Sequence, residues 1–254
     1  MTRRLRLAAA AAVALLATTS LAVAAETSFS DARKAEIGEI VRQYLLDHPE
    51  VLLEVSKALE AKQQAAEAEQ RSGVMKSSAD QIFRSPVDFV AGNPEGDVTV
   101  VEFFDYNCGW CKKSFPELTK LIEQDKKLRV VLKEFPIFGG DSDYAAKAAL
   151  AAKKQGKYWE LHSALFQHEG KVTKEVVDEV ANQLGLDMAK LSADMSAPEV
   201  TAALDQNHAL AQSLAINGTP AFIVDETVSP GYLEADALAG LIGGVREKGG
   251  CKLC

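Results

Sequence analysis

Two cysteines three residues apart, Cys108 and Cys111, directly follow the run Val-Thr-Val-Val-Glu-Phe-Phe at 98–104. They also open a stretch in which Phe115, Leu118, Leu121 and Ile122 recur at helical spacing. A strand feeding a helix whose first turn carries C-x-x-C puts the first sulfur beside unpaired N–H groups and the positive end of the helix dipole, where a thiolate is stabilised. Such a thiolate attacks disulfides, and a second cysteine one turn inside can attack the mixed disulfide that results and release the substrate. Cys108 is therefore the expected attacking residue and Cys111 the resolving one. The same residues admit two other readings: a structural disulfide within one turn, or half of a four-sulfur zinc site completed by Cys251 and Cys254. No His or Arg stands between the sulfurs to hold a very low thiolate pKa, although Lys112 and Lys113 follow in the next turn. Trp110, between the cysteines, is expected as an exposed aromatic on a peptide-binding surface.

The elements needed to position this pair are legible around it. Residues 98–104 and Leu128 to Phe135 are β-branched and aromatic runs suited to buried strands, and with the intervening helix they form a βαβ unit. Pro116 falls inside that helix, where it removes a backbone hydrogen bond and predicts a kink. Residues 141–216 read as helix throughout, with breaks at Gly156, Gly170, Gly185 and Pro198. Ala221 to Val224 returns to strand, Pro230-Gly231 turns, and 234–248 closes as a helix. The X-Pro bond of Gly218-Thr219-Pro220, just before that strand, is a position where a cis peptide fits. The fold class is α/β, with a helical insertion between two strand-bearing halves.

The N-terminal quarter has a different character. Arg3, Arg4 and Arg6 precede an apolar run from Leu7 to Leu16 and then Ala22-Val23-Ala24, the pattern of a secretory signal over residues 1–24. The run is about half the ~20 residues a membrane span needs. Its removal shifts the formal net charge from −8 to −11, an acidic balance that argues against nucleic acid as partner. Export also puts the four cysteines where disulfides persist. From 25 to 85 the chain reads as helical. Ser30 or Asp31 caps a first helix with a stripe of Ile37, Ile40, Val41, Tyr44 and Leu45, and Asp47-His48-Pro49 ends it. A second helix continues the edge through Val51, Leu52, Val55 and Leu59. Two such helices cannot fully bury their stripes on each other, so they dock elsewhere or on further copies, unless they form a solvated linker.

Glu-Phe-Phe-Asp-Tyr-Asn-Cys-Gly-Trp-Cys-Lys-Lys (102–113), Pro116, the helical insertion and Gly-Thr-Pro (218–220) together resemble the DsbA-like, thioredoxin-fold family of exported thiol-disulfide oxidoreductases over residues 86–248. Tyr44-Leu45-Leu46-Asp47-His48-Pro49-Glu50-Val51 is similar to the subgroup of Com1-like proteins and the suppressor-of-copper-sensitivity protein C, in which such a module is an oligomerisation stalk. The resemblance implies a thioredoxin fold and a periplasmic location. It also implies a cis Pro220 against the cysteine pair, with Thr219 offering its backbone to an extended substrate. Glu102 coincides with an acid that in this family lies beneath the disulfide and moves a proton during resolution, with Lys133 as its expected partner; the alternative is a strand-edge acid meeting water. The expected activity is a disulfide isomerase on misfolded exported proteins, with a membrane redox partner and a homo-oligomer, trimeric by resemblance or dimeric. The alternatives are a monomeric dithiol oxidase and a copper(I) carrier using Cys108 and Cys111; no cofactor is required for the redox chemistry. Two features depart from the family: Asp225-Glu226-Thr227 stands where a turn glycine is usual, and Gly249-Gly250-Cys251-Lys252-Leu253-Cys254 is an added tail. The tail is expected to be mobile. Its cysteines are a local disulfide, a second exchanging dithiol or a copper(I) ligand pair. His48, His162, His168 and His208 suggest structural roles.

Overall fold

A computed structural model describes residues 29–254, so the signal segment expected at 1–24 lies outside the described residues. The chain divides into two compact units, Met1–Lys62 and Gln63–Cys254.

In the first unit, α1 (Asp31–Asp47) begins at Ser30, whose side-chain oxygen accepts from the Arg33 N–H at 3.4 Å. It ends where Pro49 disfavours helical geometry in the residue before it. Helix α2 (Glu50–Ser77) then runs well past Leu59, where the apolar pattern fades, because Ala, Glu, Gln and Lys sustain a helix without a buried stripe. Ile40, Val41, Tyr44, Leu52, Val55 and Leu59 are each more than half exposed, so the stripe has no partner within the described chain.

The second unit is built on a five-stranded sheet in the order β1-β3-β2-β4-β5: β1 (Phe89–Gly92), β2 (Val98–Phe104), β3 (Leu128–Glu134), β4 (Ala221–Val224) and β5 (Thr227–Pro230). Strands β2 and β3 are parallel and joined by α4 (Gly109–Gln124), while the other neighbours are antiparallel. This is the α/β thioredoxin arrangement that the sequence suggested. Strand β1 escaped the sequence reading because four residues carry no readable period; its pairing with β3 from Phe89↔Leu132 to Gly92↔Arg129 makes it a strand.

Between β3 and β4 come α5 (Gly140–Lys153), α6 (Tyr158–Gln167), α7 (Lys174–Gln183), α8 (Met188–Met195) and α9 (Pro198–Ser213), and α10 (Ala235–Glu247) follows β5. The breaks fall at the expected residues. Gly156, Gly170 and Gly185 adopt φ of +69°, +88° and +74°, and Pro198 occupies the first turn of α9.

The period of two along β2 gives each sheet face its own core. Val98, Val100 and Phe104 join α4, α6 and α10 on one face. Val101 and Phe103 join Met75 of α2, Ile82 and Phe83 of α3 (Ala79–Phe83), Leu210 of α9 and Leu214 just after it on the other.

Two local expectations change. The β4–β5 hairpin closes without glycine, because Asp225 takes φ +50°, a region that Asp tolerates better than most residues. The tail 249–254 is docked rather than mobile. Lys252 N and Leu253 N both donate to Asp225 Oδ1 at 2.9 Å, Arg84 Nη1 donates to the Leu253 carbonyl at 2.8 Å, and Leu253 and Cys254 pack on the second core. A buried acceptor and an apolar contact thus outweigh the freedom that Gly249 and Gly250 give.

Candidate active site

Cys108 is the N-cap of α4: its Sγ accepts from the Cys111 N–H at 3.3 Å, and its own N–H donates to the Asp105 carbonyl at 3.0 Å. The loop leading into it is clamped by a buried carboxylate. Asp105 Oδ1 accepts from Asn107 N and Ser142 Oγ, both at 2.7 Å, and Oδ2 accepts from Ile137 N at 2.7 Å and Phe138 N at 3.1 Å. Asn107 pairs its side chain with the Val172 backbone, donating at 3.0 Å and accepting at 2.8 Å. In the sequence Asp105 and Asn107 mark only the end of the strand; a polar Asp-Tyr-Asn directly after an apolar strand is also the signal of a turn closed by side chains. Beneath the loop, Tyr106 Oη donates to Glu134 Oε1 at 2.9 Å and lies 3.0 Å from His162 Nδ1. Burial lowers the His162 pKa to about 3, so this ring is neutral and structural, as its sequence context suggests.

From the far end of the chain, the Thr219–Pro220 peptide is cis, and the Thr219 carbonyl oxygen lies 3.2 Å from Cys108 Sγ. The start of α4 and the loop before β4, 111 residues apart in sequence, therefore meet at one sulfur. Thr219 Oγ1 is buried without a hydrogen-bond partner.

The two sulfurs differ sharply in acidity. Cys108 is lowered to about 6, chiefly by the hydrogen bond from the Cys111 thiol, with further help from Thr219 and the Cys111 and Trp110 backbone against the cost of burial. Cys111 is pushed well above the ordinary thiol range, first by burial, then by its bond to Cys108 and by the Glu102 charge. Glu102 lies on the same sheet face as the cysteines, almost fully buried, and is raised to about 8 by burial and then by Cys108. It does not meet solvent as a strand-edge acid.

Lys133 is not its partner. In the parallel register Lys133 sits opposite Phe103, one residue out of phase with Glu102, so its side chain leaves by the other face. There it ion-pairs with the buried Asp88 and donates to the Gln81 carbonyl at 2.7 Å. Lys112 also turns away from Cys108, to the carbonyls of His168 and Gly170.

Trp110 is 58% exposed beside the buried sulfurs. Its ring centroid lies 5.7 Å from that of Tyr232, with Lys113 Nζ 5.2 Å and 4.4 Å from the two rings. Tyr232 escaped the sequence reading, since only folding brings it to α4. Ile137 and Phe138, held by Asp105, are also exposed.

Cys251 and Cys254 are joined to each other, while Cys108 and Cys111 are free. Cys254 Sγ accepts from Thr99 N near the start of β2, whereas Cys108 follows its end, roughly 16 Å away at ~3.3 Å per residue. That separation excludes a four-sulfur zinc site, and exchange between the two pairs within one docked chain.

Residues 99–243 match the family model of the DSBA-like thioredoxin domain, and residues 34–66 match that of the copper resistance protein ScsC N-terminal domain. Among solved structures, the chain is 48% identical to a thioredoxin-like oxidoreductase from Silicibacter pomeroyi DSS-3, at a TM-score of 0.65 over 66% of this chain and 97% of that one. It is 33% identical to Salmonella enterica Typhimurium BcfH, at a TM-score of 0.66 over 84% of this chain and 95% of that one. A probable disulfide bond formation protein D of Bacillus cereus is 26% identical over 163 residues, 59% of this chain and 76% of that protein. The chain spans about a quarter of the length (24%) of the curated relatives it matches first, Na(+)/H(+) antiporters NhaA of Salinispora. With the family model covering more than half of its residues, the chain belongs to the DSBA-like thioredoxin-domain family.

Proposed function

We propose that the protein is a periplasmic thiol-disulfide oxidoreductase acting as a disulfide isomerase on misfolded exported proteins. One observation carries the thiol chemistry: two cysteines one turn apart have opposite acidities, Cys108 lowered to about 6 and Cys111 raised, with a buried carboxylate beside them. At pH 7 Cys108 is mostly thiolate and attacks a substrate disulfide; one substrate sulfur leaves as a thiol and the other joins Cys108. The charge on Cys108 is then gone, which removes one of the two causes that raise Glu102. Glu102, ionising more readily, takes the Cys111 proton, and Cys111 displaces the substrate thiol. Thr219 and the cis Pro220 offer backbone for strand-like pairing with an extended substrate, and Trp110 with Tyr232 supplies an aromatic wall.

The order of isomerase before oxidase rests on the unburied apolar stripe of α1 and α2. Such a stripe favours self-association of the 25–85 module into a trimer or dimer, which brings several active sites to one misfolded chain and shields them from an oxidising membrane partner. The deciding experiment is reactivation of scrambled, fully oxidised ribonuclease by the reduced protein, with and without residues 25–85 and beside Cys108→Ser. Rescue that needs the helical module supports the isomerase. Failure of both forms, with fast oxidation of a reduced peptide by both, establishes the monomeric oxidase instead.

A second reading is favoured by the match of residues 34–66 to the ScsC N-terminal domain, whose name is that of a copper resistance protein: copper(I) held by Cys108 and Cys111. Competition with a copper(I) chelator, wild type against Cys108→Ser, tests it.

A further inference from the structure

We propose that Asp225, Cys251 and Cys254 form a second, redox-gated site that, once its disulfide is reduced, binds a borderline divalent cation of the zinc class. One donor atom from each of the three residues lies within 4.8 Å of the others, the one cluster of this kind among the described residues. Cys251 Sγ is 3.6 Å from Asp225 Oδ1, close to the about 3.5 Å edge between sulfur and oxygen on a tetrahedral zinc with bonds of about 2.3 and 2.0 Å. Two cysteines at C-x2-C spacing are the usual pair of vertices in such sites.

The surroundings suit thiolates and hold the carboxylate in place. Thr99 N–H points at Cys254 Sγ from 3.4 Å, a donor that favours the charged sulfur. Lys252 N and Leu253 N fix Asp225 Oδ1. Asp225 is buried and both cysteines are half-buried, so the group is shaped by the β4–β5 hairpin and the sheet face rather than by the tail alone. The carboxylate also decides the metal: two thiolates with one hard oxygen suit a borderline divalent ion, whereas copper(I) prefers soft sulfur ligands.

In the structure the two sulfurs are bonded to each other, which is the closed state. An external dithiol transfers two electrons and two protons, leaves as its own disulfide, and produces two free thiols. The cation then displaces both thiol protons and is held by two thiolates and Asp225. Reoxidation by a disulfide returns two electrons to that disulfide, which takes up two protons to leave as thiols, and releases the cation.

The test uses the full chain carrying Cys108→Ser and Cys111→Ser, so that only the tail thiols remain. After phosphine reduction and anaerobic desalting it is titrated with zinc(II) against a chromophoric chelator, and with cadmium(II) while thiolate-to-metal ultraviolet absorption is followed. One equivalent bound by the reduced chain, with two protons released and none bound by the oxidised chain, is the expected result. Adding Cys251→Ser and Cys254→Ser abolishes binding, and Asp225→Asn weakens it at least about tenfold. Asn tolerates the positive φ and keeps an acceptor for the tail amides, so that variant separates ligation from docking. Absence of stoichiometric binding, binding that survives loss of Cys251 and Cys254, or an Asp225→Asn variant equal to its parent overturns the proposal.

Discussion

The molecule carries C-x-x-C twice, and the two copies behave as opposites. Each has a backbone N–H on one sulfur, from Cys111 to Cys108 and from Thr99 to Cys254, and each has a buried carboxylate nearby, Glu102 and Asp225. The difference lies in what surrounds them. Cys108 caps a sixteen-residue helix, beside a cis proline and an exposed aromatic. Cys251 and Cys254 lie in a tail without helix, closed on each other and pinned to a hairpin on the opposite sheet face. A dithiol motif therefore does not by itself define an active site; a helix start, hydrogen bonds that lower one sulfur's pKa and an adjacent cis-proline backbone do.

Substitution separates the two pairs most strongly. Cys108→Ser is expected to abolish turnover of a mixed disulfide between glutathione and a peptide, while Cys251→Ser with Cys254→Ser retains more than half of it. Equal losses in both would erase the distinction between the two pairs. Glu102→Gln, which keeps shape and removes the base, is expected to slow release from a Cys108 mixed disulfide by about 10²-fold. In the wild type that release quickens as pH rises towards about 8, because without the Cys108 charge Glu102 ionises below that value, and the rise is missing in the Gln variant. Stopped-flow release of a fluorescent thiol reads both.

A smaller effect separates the pairs by stability. The folded-state pKa of Cys108 is depressed, so its thiolate stabilises the reduced protein above the ordinary thiol pKa and that contribution fades as pH falls towards about 6. The melting temperature of the reduced form relative to the form oxidised at Cys108–Cys111 should therefore drop between pH 9 and pH 6. A gap that does not change with pH would deny Cys108 its special environment. The smallest expected change comes from Asp225→Ala, which removes the acceptor for two tail amides and puts a poorly suited residue at φ +50°. A loss of about 1–3 kcal/mol and faster proteolysis after Gly249 are expected, with turnover at Cys108 retained.

Much of this arrangement was legible from residues alone. The strand–C-x-x-C–helix succession, the helix breaks at Gly156, Gly170, Gly185 and Pro198, and the Ser30 cap depend on contacts within a few residues, which local sequence controls. What local sequence does not reveal depends on long-range packing. Lys133, the expected partner of Glu102, lies one residue out of phase with it across the parallel register, so the two-residue period sends the two side chains to opposite faces. Strand β1 exists only because β3 lies beside it, and Tyr232 reaches Trp110 only when α10 and α4 pack together. The two glycines before the tail suggest mobility, while Asp225 and Arg84 hold it from distant positions.

Local residue order alone marks the groups able to do chemistry here: a sulfur at a helix start, a second sulfur one turn on, an acid in the strand before them, and a proline ahead of a later strand. Which of those groups share an environment is set by long-range packing. It placed Thr219 3.2 Å from Cys108, buried Glu102 on the cysteine face, and kept Cys251 and Cys254 at the other end of β2. The reason is physical. Helix starts and turns are fixed by neighbouring residues, whereas acidity depends on burial and on charges that the chain brings together only when the sheet closes.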